Sequence, residues 1–188
     1  MASVSQKNLC EPFVIRSPDG KEIALLMREN RHESRSMVCF SHDEGRTWTT
    51  PVDTCWGLTG DRHEGVLLPN GRLLVAFRDR ALGSSTWGQY VAWVGTYDDL
   101  RNGRSGQYRI HLLRNWSGTK YGGHVGDTGY SGVEVLPDGM IVCTTYVKYR
   151  PDPCLQSVVC TRFRIDETDR KLAYMQKHAK FVRAVPSK

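Results

Sequence analysis

Residues 11–28 read EPFVIRSPDGKEIALLMR, residues 64–78 read EGVLLPNGRLLVAFR, and residues 132–146 read GVEVLPDGMIVCTTY. Each is an apolar run, a Pro-Asp-Gly or Pro-Asn-Gly step, and a second apolar run. Asp-Gly and Asn-Gly accept the positive φ angles of tight hairpin turns, whose twist matches that of paired strands. Val, Ile, Leu and Phe fill the flanks, as in strands buried on both faces. A further strand is expected after each hairpin, over Ser36–Ser41, Tyr90–Thr96 and Ser157–Arg164. One such hairpin fits any β-sandwich. Three with the same spelling, at intervals of roughly 50–70 residues, fit propeller blades and not a helical solenoid. The expected fold class is therefore all-β: a partial β-propeller of about three four-stranded antiparallel blades within residues 1–168, near 11–55, 56–115 and 125–168.

Composition agrees with a globular chain that builds a real core: 39% of its 188 residues are hydrophobic and 24% charged. No apolar run approaches the roughly 20 residues needed to cross a bilayer. The opening Met1–Cys10, MASVSQKNLC, lacks a basic stretch followed by an apolar one, so no signal peptide is visible and the default expectation is cytoplasmic. Cysteines stand at 10, 39, 55, 143, 154 and 160 with no C-x-x-C pair, which argues against zinc and thioredoxin-like chemistry. Cys39 and Cys143 lie inside apolar runs and read as buried thiols. Cys154 and Cys160 would close a loop in an oxidising compartment; reduced thiols are expected otherwise.

The net charge of +6 suits an anionic partner without naming it. Much of the excess sits in residues 169–188, where Leu172, Met175, Ala179 and Val182 recur every three to four positions among Lys171, Lys177, Lys180, Arg183 and Lys188. A short basic amphipathic helix is expected there, read as a solvated face rather than a nucleic-acid or membrane contact.

Ser41-His42-Asp43-Glu44-Gly45-Arg46-Thr47-Trp48 spells S-x-D-x-G-x-T-W. An Asp carboxylate in such a turn accepts N–H groups of its own loop, Gly45 permits the reversal, and Trp48 offers an apolar face. The octapeptide closely resembles the Asp box (BNR repeat) of sialidase blades, where it lies away from the active site. Ser41, Asp43, Gly45, Thr47 and Trp48 are therefore assigned a structural role. Thr96–Leu100 is a worn version without the Gly and Trp.

With that box, residues 11 to about 165 resemble the later half of a sialidase, a six-bladed propeller with a central pocket. The resemblance implies a glycoside hydrolase acting on terminal acidic sugars. Glu11 opens the first hairpin, Arg28 ends its second strand, and Tyr130 precedes the last hairpin, in the order of the family's base, carboxylate-binding Arg and nucleophile. The chemistry fits. A sialic acid carries a carboxylate on its anomeric carbon, which repels an Asp or Glu nucleophile but not a neutral phenol. A phenol with a pKa near 10 needs a neighbouring carboxylate to take its proton. A guanidinium fork holds the substrate carboxylate through paired bonds. Taken singly, a Tyr before a strand is usually packing and a strand-end Arg usually reaches solvent.

Two more polar groups flank the second hairpin. In Gly60–His63 and Arg78–Arg80, Arg62 or Arg78 would bind an acidic sugar and Asp61 or His63 would bond its hydroxyls; alternatively Asp61 with Arg62, and Arg78 with Asp79, form exposed ion pairs. No metal role for His63 is expected, since ligand spacing is absent, and no cofactor is implied. The family's first Arg and its acid/base Asp have no counterpart here. No Arg stands near Gly88–Tyr90, where the third of the triad belongs, so Arg78 or Arg80 would have to reach in from another strand. Three blades do not close a ring, so completion by a second copy or by an N-terminal half is expected. The alternative reading is a noncatalytic propeller that binds carbohydrate or serves as a scaffold. Both need the three sheets to fan around one axis.

Overall fold

The computed structural model describes residues 4–117, 127–151 and 155–179. It is all-β in plan, with three antiparallel sheets. The first contains β1 (Leu9–Arg16), β2 (Ile23–Glu29), β3 (Met37–Ser41) and the two-residue β4 (Val52–Asp53), in that order. The second contains β5 (Gly60–Leu67), β6 (Arg72–Asp79), β7 (Tyr90–Thr96) and β8 (Tyr108–Leu113). The third has three strands, β9 (Gly129–Val135), β10 (Ile141–Val147) and β11 (Ser157–Phe163), with β10 in the middle. Their first strands lie side by side, β1 against β5 and β5 against β9. The result is a fan of sheets about a common edge, the arrangement of part of a propeller.

The turns form where the spelling places them. Gly20, Gly71 and Gly139 all have positive φ, at 76°, 80° and 80°. Leu68 N–H donates to the Arg72 carbonyl and Leu136 N–H to that of Met140, at 2.7 and 2.8 Å. The first turn carries one extra residue, closing from Ser17 N–H to the Glu22 carbonyl at 2.8 Å. The runs LLVAF and YVAWV are continuously apolar because the second sheet is covered on both faces. Leu73, Val75, Phe77, Val91 and Trp93 pack toward the first sheet with Leu26, Val38 and Phe40. Leu74, Ala76, Tyr90, Ala92 and Val94 pack toward the third with Ile141, Cys143 and Phe163. Truncating one of these buried aliphatic side chains to Ala costs about 2–5 kcal/mol.

Cys39 and Cys143 are fully buried free thiols, and burial pushes Cys143 up to about 12. Cys160 is exposed, and Cys154 lies outside the described residues, as does Val182.

Three boundaries differ from the sequence reading. Gly60–His63 and Gly129–Ser131 do not precede their hairpins; they belong to the first strands β5 and β9. A β-bulge interrupts the apolar alternation there and hides the strand's beginning. The C-terminal helix (Ile165–His178) starts four residues before the expected tail, because Glu167 caps it, its Oε2 accepting Arg164 N–H at 3.1 Å. Its first turns dock on the second sheet. Arg72 pairs twice with Asp169 at 2.8 Å, and Tyr108 Oη donates to Asp169 at 2.5 Å. Met175, placed by its periodicity on an apolar face, is 67% exposed. No described helix is long and apolar enough to cross a membrane.

Candidate functional site

Each of the three first strands is bulged at the same place. Pairing skips between Cys10 and Phe13 in β1, between Asp61 and Glu64 in β5, and between Gly129 and Gly132 in β9. The residue that opens each bulge is left-handed: Glu11 at φ 49°, Arg62 at 58° and Tyr130 at 51°. All three stand nine residues before the glycine of their turn (Gly20, Gly71, Gly139). Opposite the residue before each bulge stand Arg28, Arg78 and Tyr146 on the second strands. The repeat therefore delivers six polar side chains to one end of the fan. Glu11, Arg62, Glu64, Tyr130 and Ser131 line an open pocket of about 310 Å³ there.

Asp61 organises the floor. It is completely buried, and its Oδ2 accepts Arg78 Nε at 2.9 Å and Arg80 Nε at 2.7 Å. Its Oδ1 lies 3.0 Å from Arg28 Nε and 2.8 Å from His32 Nε2. Burial opposes the charge, but the bonds from His32 and Arg80 and the field of Arg78 outweigh it and hold the carboxyl far below the usual range. Asp61 therefore does not bond substrate hydroxyls, as the sequence suggested, nor does it pair with Arg62. Both its oxygens are spent on guanidiniums. His63 is likewise corrected: it is buried under Phe77, with ring centroids 5.1 Å apart and Nε2 2.9 Å from the Leu58 carbonyl oxygen. Burial pushes its pKa down. Arg78 bonds Asp61 and Asp127, while the Asp79 carboxylate takes Arg109 at 2.7 Å and the Ser84 and Thr86 hydroxyls.

Above this floor, Glu11 Oε1 accepts Arg28 Nη1 at 2.9 Å and its Oε2 accepts the Arg62 backbone N–H at 3.1 Å. The Arg62 guanidinium lies 4.1 Å from the centroid of the exposed Tyr130 ring, a cation–π contact, and bonds the Tyr146 hydroxyl. Burial works against the Arg62 charge, but the Tyr146 hydroxyl and Glu11 more than compensate, and its pKa is raised. Gly129 leaves room for this side chain, since a Cβ there would meet Arg62 Cδ at 2.5 Å. Asp127 completes the group: its Oδ1 receives Tyr146 Oη at 2.5 Å, Arg78 Nη1 at 3.1 Å and Arg62 Nη1 at 3.4 Å. The guanidiniums of Arg28, Arg62, Arg78 and Arg80 thus meet the carboxylates of Glu11, Asp61 and Asp127, with Glu64 on the same pocket.

The structure brings Glu11, Arg28, Arg62, Arg78 and Tyr130 together and keeps Asp61 and His63 buried, His63 forming part of the pocket wall. Sequence reasoning gave no role to Tyr146, Asp127, His32 or Glu64. Tyr146 was within reach by counting from the turn glycines. His32 and Asp127 sit in connections where no periodicity marks them. Among the described residues no cluster of His, Cys, Asp or Glu is placed to hold a metal ion.

The Asp box fastens its own turn at the opposite end. Asp43 accepts Thr47 N–H at 2.8 Å and Thr47 Oγ1 at 2.7 Å, Gly45 N–H donates to Ser41 Oγ at 2.9 Å, and Trp48 Nε1 donates to the Gly45 carbonyl at 2.9 Å. Ser41 pairs with Ile23 beside the hairpin turn, whereas Arg28 and Glu11 lie at the other end of the same strands.

No family model and no curated protein matches the chain. Among solved structures it is similar to a protein of unknown function from Dyadobacter fermentans DSM 18053, with a TM-score of 0.63 and 18% identity over 86% of this chain and 40% of that one. It is also similar to a xylan beta-1,4-xylosidase from Bacillus halodurans C-125, with a TM-score of 0.52 and 9% identity over 85% of this chain and 29% of that one. At these identities the likeness is one of fold. The chain spans less than half the length of either structure.

Proposed function

We propose that the chain is part of a sialidase-like glycoside hydrolase propeller that acts on terminal acidic sugars of glycoconjugates. The observation that carries this reading is the convergence of Glu11, Arg62 and Tyr130, from three bulges, on one pocket, with Arg28 bonded to Glu11 and Arg78 bonded to Asp61 beneath it. In the proposed reaction Tyr130 Oη attacks the anomeric carbon while Glu11 accepts the phenol proton. The bond to the leaving oxygen breaks, and a proton reaches that oxygen from an acid outside this chain. Arg28, Arg62 and Arg78 hold the sugar's carboxylate; Asp61 is a positioning residue that aims two of them.

The test is hydrolysis of a fluorogenic sialoside by the chain joined to the blades that complete its ring. Tyr130→Phe should abolish turnover while leaving substrate binding in place. Unchanged turnover would remove Tyr130 from the mechanism.

One observation favours a binding module instead. The Glu11 carboxylate is already engaged by Arg28 and by the Arg62 amide, which reduces its availability as a base. In that case Tyr130→Phe alters only packing, and the wild-type assembly binds acidic glycans without cleaving them.

A further inference from the structure

We propose that Asp127 is a built-in occupant of the cradle that receives a ligand's carboxylate, and that a monocarboxylated sugar binds by displacing it. The inference rests on the acidic-sugar reading above and adds what controls access to that site.

Three donors meet on a single oxygen, Asp127 Oδ1: Tyr146 Oη, Arg78 Nη1 and Arg62 Nη1. They come from β10, β6 and β5, so two sheets contribute to one anion cradle. The occupant comes from neither position of the repeat. It lies in the connection before β9, three residues ahead of Tyr130, where the other two units carry Asn8 and Thr59. Only the third unit places a carboxylate there.

The two acidic groups that share Arg78 differ in how firmly they are held. The Asp61 side chain is 0% exposed and is fixed in the floor, whereas that of Asp127 is 53% exposed. The Asp127 backbone is anchored separately. Its N–H donates to Ser117 Oγ at 2.8 Å, and its carbonyl accepts Gln156 Nε2 at 3.3 Å. The carboxylate can therefore leave by side-chain rotation while the chain stays in place. Its departure leaves the guanidiniums of Arg28, Arg62, Arg78 and Arg80 facing Glu11, Asp61 and the partly buried Glu64, so the emptied cradle still favours an anion. A neutral sugar cannot replace the lost charge, so the same residue discriminates against uncharged ligands.

The test is calorimetric titration of the chain joined to the blades that complete its ring, wild type and Asp127→Ala, with N-acetylneuraminic acid and glucuronic acid as charged probes and glucose as the uncharged one. Emptying the cradle removes the fraction of molecules in which it is blocked, so Asp127→Ala should bind at least one acidic probe about tenfold tighter or more, with no gain for glucose. Asp127→Asn, checked like the first variant by circular dichroism, decides the matter if the alanine variant does not fold. Its neutral amide also weakens the plug, and the gain should persist. Acidic probes that bind the wild type and the variants equally, or the variants more weakly, overturn the displacement model alone. If no acidic probe binds any of the proteins, the acidic-sugar reading falls with it.

Discussion

Glu11, Arg62 and Tyr130 hold a backbone conformation in which Cβ crowds the following carbonyl, at a cost of roughly 1–2 kcal/mol each. Residues kept in such conformations cluster where geometry serves function. Here the bulge turns a side chain that would lie along the sheet toward the axis of the fan. Glu64, two positions beyond Arg62, shares the pocket, and burial raises its carboxyl pKa above the usual 4.5. A raised pKa means that the folded protein holds this proton more tightly than the unfolded chain does. Stability therefore falls as pH rises from 4.5 through the folded value, and the penalty persists above it. Glu64→Gln should melt higher than wild type at neutral pH, with the difference disappearing below about pH 4 in thermal denaturation. A gain that is the same at all pH values would show that burial of charge is not its cause. Residue identities alone carried part of the site. Glu11, Arg28 and Tyr130 follow from their place in the repeat, but nothing in the letters distinguishes Asp61 as a buried hub from Asp61 as a sugar ligand. That distinction depends on three arginines from two sheets closing over it.

The hairpins are the most legible elements because their signal is local: a turn glycine at positive φ between β-branched and aliphatic runs. The beginnings of β5 and β9 are illegible for an equally local reason, since a bulge breaks the period of two on which strand reading depends. The Asp box is legible because it closes on itself through Ser41, Asp43, Gly45, Thr47 and Trp48. Its bonds are tied to the charged carboxylate: hydrogen bonds from the Thr47 amide and hydroxyl lower Asp43 from 3.8 to about 2. A depressed pKa contributes stability above 3.8 that is lost as pH falls toward 2. Asp43→Asn should lower the melting temperature at neutral pH and converge on wild type near pH 2. Because the box lies at the far end of the strands, the same variant should leave ligand binding untouched; weakened binding in a folded Asp43→Asn protein would contradict this separation.

At the scale of the molecule, the three sheets form a fan whose last strand, β11, pairs on one side with β10 and, among the described residues, has no strand on its other edge. Val158 on that strand is 83% exposed. An uncovered strand with apolar side chains is a template for pairing with another chain. The wild-type protein should show concentration-dependent mass in sedimentation experiments, and Val158→Lys should reduce it while changing folding stability by no more than about 0.5 kcal/mol. Identical sedimentation of the two would mean that association uses another surface. The fan itself was foreseeable from three similarly spelled units. The shared bulge has one more implication. Its three side chains lie outside both hydrophobic cores, so exchanging one alters the contacts at the end of the fan and leaves the interior in place. Descent within such a scaffold can change what its open end recognises by exchanging a handful of residues, with the strands, turns and interior inherited unchanged.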